Sequence, residues 1–195
     1  MNIPKIGIVL STTRDGRFAD KPTAWLEAIV AKRTDLSFER VDLRDYPMPM
    51  FDWPFSPSRT PITHEAVVPW RNKVASLDGF IFVTAEYNRS IPAVLKNAID
   101  HAYVEWNRKA AAYLGYGTVG AARAIEHLRN ISVEMQIAPI RAGVHIDRDP
   151  LIAVRTGAKT LDDFPNLADQ ATAMLNDLAW WAWTLKAGRE APPRT

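Results

Sequence analysis

The chain has 195 residues, 47% hydrophobic and 24% charged, with a formal net charge of +2; this is the composition of a globular domain large enough to bury a core. The absence of cysteine excludes disulfides, thiolate catalysis and cysteine-ligated metal or iron–sulfur centres. A pI near 8.9 without a Lys/Arg stripe leaves no nucleic-acid footprint, and no apolar run reaches the ~20 residues of a membrane span.

The amino end, MNIPKIGIVL, enters a strand without a long apolar leader, so a soluble, cytoplasmic protein is expected. In chain order, strand-like runs are predicted over residues 6–10, 38–43, 80–84, 110–114 and 137–146, the last interrupted by Pro139. Helical patterns alternate with them over 22–33, 65–77, 92–106, 119–131 and 167–186. Five β–α units predict a single α/β domain over residues 1–195, a doubly wound, mostly parallel five-stranded sheet. The flavodoxin-like order 2-1-3-4-5 suits five strands, whereas the dinucleotide-binding order normally has six. In such a sheet the ligand crevice lies at the carboxyl ends of the first and third strands, where the order switches.

The loop after the first strand is Ser11-Thr12-Thr13-Arg14-Asp15-Gly16-Arg17-Phe18, with Pro22 marking the next helix. Hydroxyls, backbone N–H groups, a glycine and two guanidiniums beside a helix amino end are the inventory for holding a phosphate. It is not a Walker A loop, because GxxxxGK[ST] is absent. After the second strand, residues 46–61 form a connection dense in proline and carrying Phe51, Trp53 and Phe55; it is either a cover for a pocket or a surface loop pinned by its own aromatics.

The third strand runs into TAEYNRSIPAVLKNAID, which packs Glu86, Tyr87, Asn88 and Ser90 into one short turn. That turn offers N–H groups and a flat aromatic to a planar ligand with polar edges; its plainer alternative is a capped turn with Ser90 as N-cap. After the fourth strand, Gly115-Tyr116-Gly117-Thr118-Val119-Gly120 spells G-x-G-x-x-G. A dinucleotide fingerprint belongs on the first β–α turn with an acid about 20 residues on, and neither condition is met. The glycines more readily let backbone approach a flat ring, with Gly120 packing the helix. His64, His101, His127 and His145 are scattered without metal-like spacing and read as solvent or capping residues.

STTRDGR, AEYNRSIPAVLKNAID and GYGTVGAARAIEHLR, in that order, resemble the NADPH-dependent FMN reductases, a flavodoxin-like group that includes quinone, azo-dye and chromate reductases. The resemblance spans residues 5–146. It implies that Thr12, Arg14, Arg17 and Phe18 bind the FMN phosphate, that Glu86, Tyr87, Asn88 and Ser90 hold the isoalloxazine ring, and that Gly115, Tyr116 and Gly117 lie beside ring and ribityl chain. FMN is then the cofactor, NAD(P)H the co-substrate and a free flavin, quinone or similar small molecule the acceptor, in ping-pong turnover. No metal and no obligate acid or base is assigned. The N–H groups around Asn88 and the amino end of the helix near Val119 are candidates for stabilising charge on the reduced ring. Two departures stand out: Ser11 where the family usually has glycine, and Ala85 where it often has proline. The alternatives are an electron carrier, expected to be acidic, and a phospho-acceptor module, which would want aspartate where Thr84 stands. Aromatics in AYVEW and in LAWWAWTL, with Trp180, Trp181 and Trp183, predict a homodimer or dimer of dimers.

Overall fold

A computed structural model of the protein describes residues 2–191. One five-stranded sheet is formed by β1 (Lys5–Leu10), β2 (Ser37–Asp42), β3 (Gly79–Ala85), β4 (Ala110–Tyr116) and β5 (Ala138–Ile146). All neighbours are parallel and the order is β2-β1-β3-β4-β5, as the alternation of elements predicts. The inner strands GFIFVTA and AAAYLGY are buried at every position, because helices cover both faces of a parallel sheet. Register places Asp42, Leu10, Val83 and Leu114 in one row, so the loops that follow β1, β3 and β4 leave the sheet side by side.

Helices α1 (Asp20–Val30), α5 (Arg148–Arg155) and α6 (Pro165–Glu190) join one core, in which Ile6, Ile8, Ile81, Val83, Leu114, Leu26 and Leu178 pack. On the other face α2 (Val68–Ala75), α3 (Ala93–Asp100) and α4 (Ala122–Glu134) cover Val9, Phe80, Phe82 and Tyr113.

Helix ends differ from the sequence reading, and α5 is absent from it. The third helix stops at Asp100 instead of running to Trp106. Trp106 is fully buried, with its ring 4.8 Å from Phe80 and its Nε1–H donating to the Ile99 carbonyl at 3.3 Å. To insert that indole against the sheet the chain turns back over residues 103–107, and burying the indole offsets the lost helical hydrogen bonds. The fourth helix starts at Ala122, three residues later than predicted, because Gly117, Gly120 and Ala121 all adopt positive φ in the turn before it.

At the amino ends of the strands, Asp78 accepts from the backbone N–H of Lys5 and from Lys186 and Arg189, tying β1 and β3 to the end of α6. Nearby, Lys109 is buried and its ammonium donates to the carbonyls of Val74 (2.7 Å) and Ala75 (3.2 Å) at the end of α2. Burial, reinforced by the charge of Arg189, pushes Lys109 down to about 8. Between about pH 8 and 10 the unfolded chain therefore keeps a proton that the folded protein has released. Stability should rise with pH across that window, by at most about 1.4 kcal/mol per pH unit. Above it the sign reverses, because burial pushes the phenols of Tyr113 and Tyr116 up to about 12 while unfolded tyrosines ionise near 10. Denaturant titrations of the native protein and Lys109→Met over this range check the assignment: the rising limb should vanish in the variant, and an identical limb in both would refute it.

Candidate active site at the carboxyl ends of the strands

The loop after β1 is shaped by what holds its carbonyls. Ser11 continues the ladder by donating its N–H to Val83 at 3.1 Å, and its hydroxyl turns back onto the Val9 carbonyl. The hydroxyl that replaces a glycine is thus directed into the sheet. Arg17 donates to the Thr12 carbonyl at 2.6 Å, and Arg44 donates to the carbonyls of Thr13 (3.2 Å) and Arg14. In a trans peptide the N–H points away from its C=O. Each N–H of Thr13, Arg14 and Asp15 consequently points away from the guanidinium that holds the carbonyl of its own peptide, and backbone N–H groups left free in a loop are donors of the kind that binds anions.

Both guanidinium-bearing segments meet on Asp42, the last residue of β2. Its carboxylate accepts from Arg17 Nη1 (2.7 Å) and Nη2 and from the Arg44 backbone N–H (3.0 Å). Burial alone would raise its pKa, but the Arg17 hydrogen bonds and the Arg44 N–H outweigh burial and hold the carboxyl below its ordinary range. Asp20 takes the remaining Arg17 donors. Arg17, expected on the phosphate, therefore lies beneath the loop with its donors engaged by protein, and Arg14 is left as the loop's uncommitted cation. The Arg14 guanidinium sits 5.7 Å from the ring centre of Tyr87 with no ion pair among the described residues.

The loop after β3 contains a two-residue hairpin. Tyr87 and Ser90 exchange both backbone hydrogen bonds (2.9 and 3.0 Å), and Asn88 and Arg89 between them adopt φ of 50° and 68°. Asparagine tolerates this left-handed conformation and arginine does so at a cost. The N–H groups of Asn88 and Arg89 remain at the tip without a protein partner among the described residues.

Glu86 points the other way. Its carboxylate accepts from the backbone N–H groups of Arg123 (3.2 Å) and Ala124 (3.4 Å) and from the Arg123 side chain at 2.6 Å. The amino end of α4, expected to stabilise a reduced ring, is thus already met by a protein carboxylate. Ser90 is not the N-cap of α3, which is Pro92; its hydroxyl pairs with His127 at 3.1 Å.

In the third motif the glycines divide. A Cβ on Gly115 would lie 2.7 Å from Ile125 and 2.8 Å from Ala121, so this position packs β4 onto α4 and is closed to a ligand. Gly120 meets His145 in the same way, which places its close approach on β5 and not on the helix. A Cβ on Gly117 would make only ordinary contacts, 3.6 Å to Glu86 and 3.7 Å to the Ala121 nitrogen, so packing does not close this position. Tyr116 lies with its ring 5.2 Å from Phe18 and its hydroxyl 3.4 Å from the Thr12 hydroxyl.

One crevice of about 140 Å3 therefore gathers Arg14, Arg17 and Phe18 from the first loop, Glu86 and Tyr87 from the second, and Tyr116 and Gly117 from the third. Thr12 lies buried beneath it, and Asn88, Ser90 and Gly115 do not line it. Two further lining residues, Leu151 and Arg155 on α5, escaped the sequence reading. Their helix was announced by Asp147 before Pro150 and by Gly157 just after Arg155, start and stop signals in a stretch read as a connection.

Residues 46–61 contribute nothing to this crevice. Asn97 bonds to both Phe51 N–H (2.8 Å) and the Pro49 carbonyl (2.9 Å), pinning the loop along α3. His101, expected to be a solvent or capping residue, is the C-cap of α3 and fully buried: Nδ1 accepts from Trp53 Nε1 (3.2 Å), so Nε2 carries the proton donated to Pro49 O (2.9 Å). Among the described residues no group of three or more acidic or histidine side chains is arranged to hold a metal.

The donor set fits FMN. Arg14 suits a phosphate, Tyr87 supplies an aromatic wall, and Gly117 puts no side chain between that wall and Tyr116. The architecture and crevice define a flavodoxin-like fold of the kind that binds flavin nucleotides at its switch point. The family model for NADPH-dependent FMN reductases matches residues 4–150, and the chain belongs to that family. It is 34% identical over 153 residues, 76% of each chain, to an NAD(P)H-dependent FMN reductase of Schizosaccharomyces pombe. It is 35% identical over 140 residues to a 2-hydroxy-1,4-benzoquinone reductase of a Burkholderia species, covering 68% of this chain and 72% of the relative. Among solved structures, a flavoenzyme NAD(P)H:acceptor oxidoreductase from Paracoccus denitrificans superposes with a TM-score of 0.73 at 21% identity, over 93% of this chain and 98% of that one.

Proposed function

We propose that the protein is an NAD(P)H-dependent oxidoreductase that reduces a quinone or free flavin in ping-pong fashion. Family membership establishes the coarser statement: an enzyme with FMN as cofactor and NAD(P)H as co-substrate. That sets aside the electron-carrier reading, as does the basic pI. The observation that carries the proposal is the convergence of the three motif loops on one crevice. Bound FMN supplies the redox chemistry, taking two electrons from NAD(P)H and giving them to an acceptor.

The protein's part is binding and orientation. The concavity of about 140 Å3 is smaller than the ~300–1,000 Å3 of most ligand pockets. Arg14 would hold the phosphate there, and Tyr87 and Gly117 would border the flavin ring. Both substrates would then use one open face of the bound cofactor in turn. Double-reciprocal plots at several fixed quinone concentrations should give parallel lines; intersecting lines would show a ternary complex instead.

Arg14 binds the phosphate in this reading. Arg14→Ala should weaken FMN about tenfold to a hundredfold, the worth of one charge-assisted hydrogen bond. Unchanged affinity, measured by flavin fluorescence quenching, would remove Arg14 from the site.

The proposal includes a homodimer or dimer of dimers. Trp106 no longer supports it, being core, but Trp180 is 59% exposed on α6, and Phe55, Val104 and Val133 are exposed around Tyr103 and Glu134. Light scattering at micromolar concentration should give at least twice the chain mass, and a fully active species near the 21.9 kDa of one chain would refute it.

A further inference from the structure

Helix α5 does more than connect β5 to α6. Val154 is buried in the core, its carbonyl accepts from Lys21 Nζ of α1 at 2.9 Å, and Leu151 packs on the same core. The helix ends firmly: Gly157 takes a φ of 77°, and Ala158 N–H returns to the Ala153 carbonyl at 2.9 Å. Arg155 thus has a fixed backbone one helical turn from Leu151, on the same face, and both residues line the crevice.

Its side chain is exposed and makes no hydrogen bond or ion pair among the described residues. The other guanidiniums at the crevice wall have partners, apart from Arg14. Arg17 is held by Asp42 and Asp20, and Arg44, which does not line the crevice, donates from Nε and Nη2 to the carbonyls of Thr13 and Arg14. Glu86, the crevice's carboxylate, is neutralised by Arg123. Two uncompensated positive charges therefore line the cavity, Arg14 from the first loop and Arg155 from α5. A phosphate monoester carries about −1.5 to −2 near neutral pH, more than one guanidinium balances. The family match ends at residue 150, so this second cation lies beyond the region the family model describes.

We propose that Arg155 is a second phosphate-binding residue, reaching from α5 to the side of the FMN phosphate away from Arg14, and that the pair makes the site selective for a phosphomonoester dianion over the unphosphorylated flavin. This rests on the FMN reading above. The apo-protein is titrated with FMN and with riboflavin, using the native chain, Arg155→Ala and Arg155→Lys, at low and high salt. Arg155→Ala should weaken FMN about tenfold to a hundredfold and leave riboflavin unchanged. It should also flatten the salt dependence of FMN binding, and lysine should restore part of the affinity. Equal losses for both flavins would overturn the proposal and make Arg155 part of the wall. Unchanged FMN affinity, with KM raised for NADPH but not for NADH, would overturn it in favour of the co-substrate phosphate. A native chain that binds neither flavin would overturn the FMN reading itself, a failure visible before any variant is compared.

Discussion

Asp42 ends the edge strand β2, yet its two carboxylate oxygens shape a loop that belongs to β1. By holding Arg17 and the Arg44 N–H, it anchors the two residues whose guanidiniums take the three successive carbonyls of residues 12–14. A loop rich in threonine, aspartate and glycine has many conformations of similar energy, and ordering it costs about 1–2 kcal/mol per residue. The folded protein has met that cost before a ligand arrives, which is how preorganisation converts to affinity. Since Asp42 is in register with Leu10, strand pairing itself delivers the carboxylate to the loop.

The second and third loops are organised by the same means. Glu86 leaves β3 and closes the amino end of α4, so the position of Tyr87 is coupled to the helix that follows β4. Gly115 and Gly120 let α4 and β5 close on that corner without a side chain between them. The rim of the crevice is thus one connected polar frame, standing on a sheet whose inner strands are fully buried.

The sheet was legible in the sequence because its inner strands are continuous apolar runs between turn signals, and strand order followed from their number. Helix ends were less so: the stop at Asp100 depends on where Trp106 finds a cavity, a tertiary fact invisible to periodicity. For the crevice, the sequence pointed to three loops that line it and left open how the residues within them divide between lining and support. Arg14 and Arg17 look alike in the string STTRDGR, and only partners 25 residues away at Asp42 make one structural and leave the other uncommitted. Glu86 and Gly115 were hidden similarly, since their partners on α4 are brought close only by the fold.

Helix α5 gives the crevice two kinds of wall. Three of its sides descend directly from the strands and cannot move unless the sheet does. The fourth is a short helix set between β5 and α6, docked on α1 by Lys21 and a few apolar contacts. The wall that carries Arg155 is therefore mechanically separable from the walls that carry Arg14, Tyr87 and Gly117. Sequence drift in α5 can change the charge on one side of the crevice while the loops that leave the sheet keep their places.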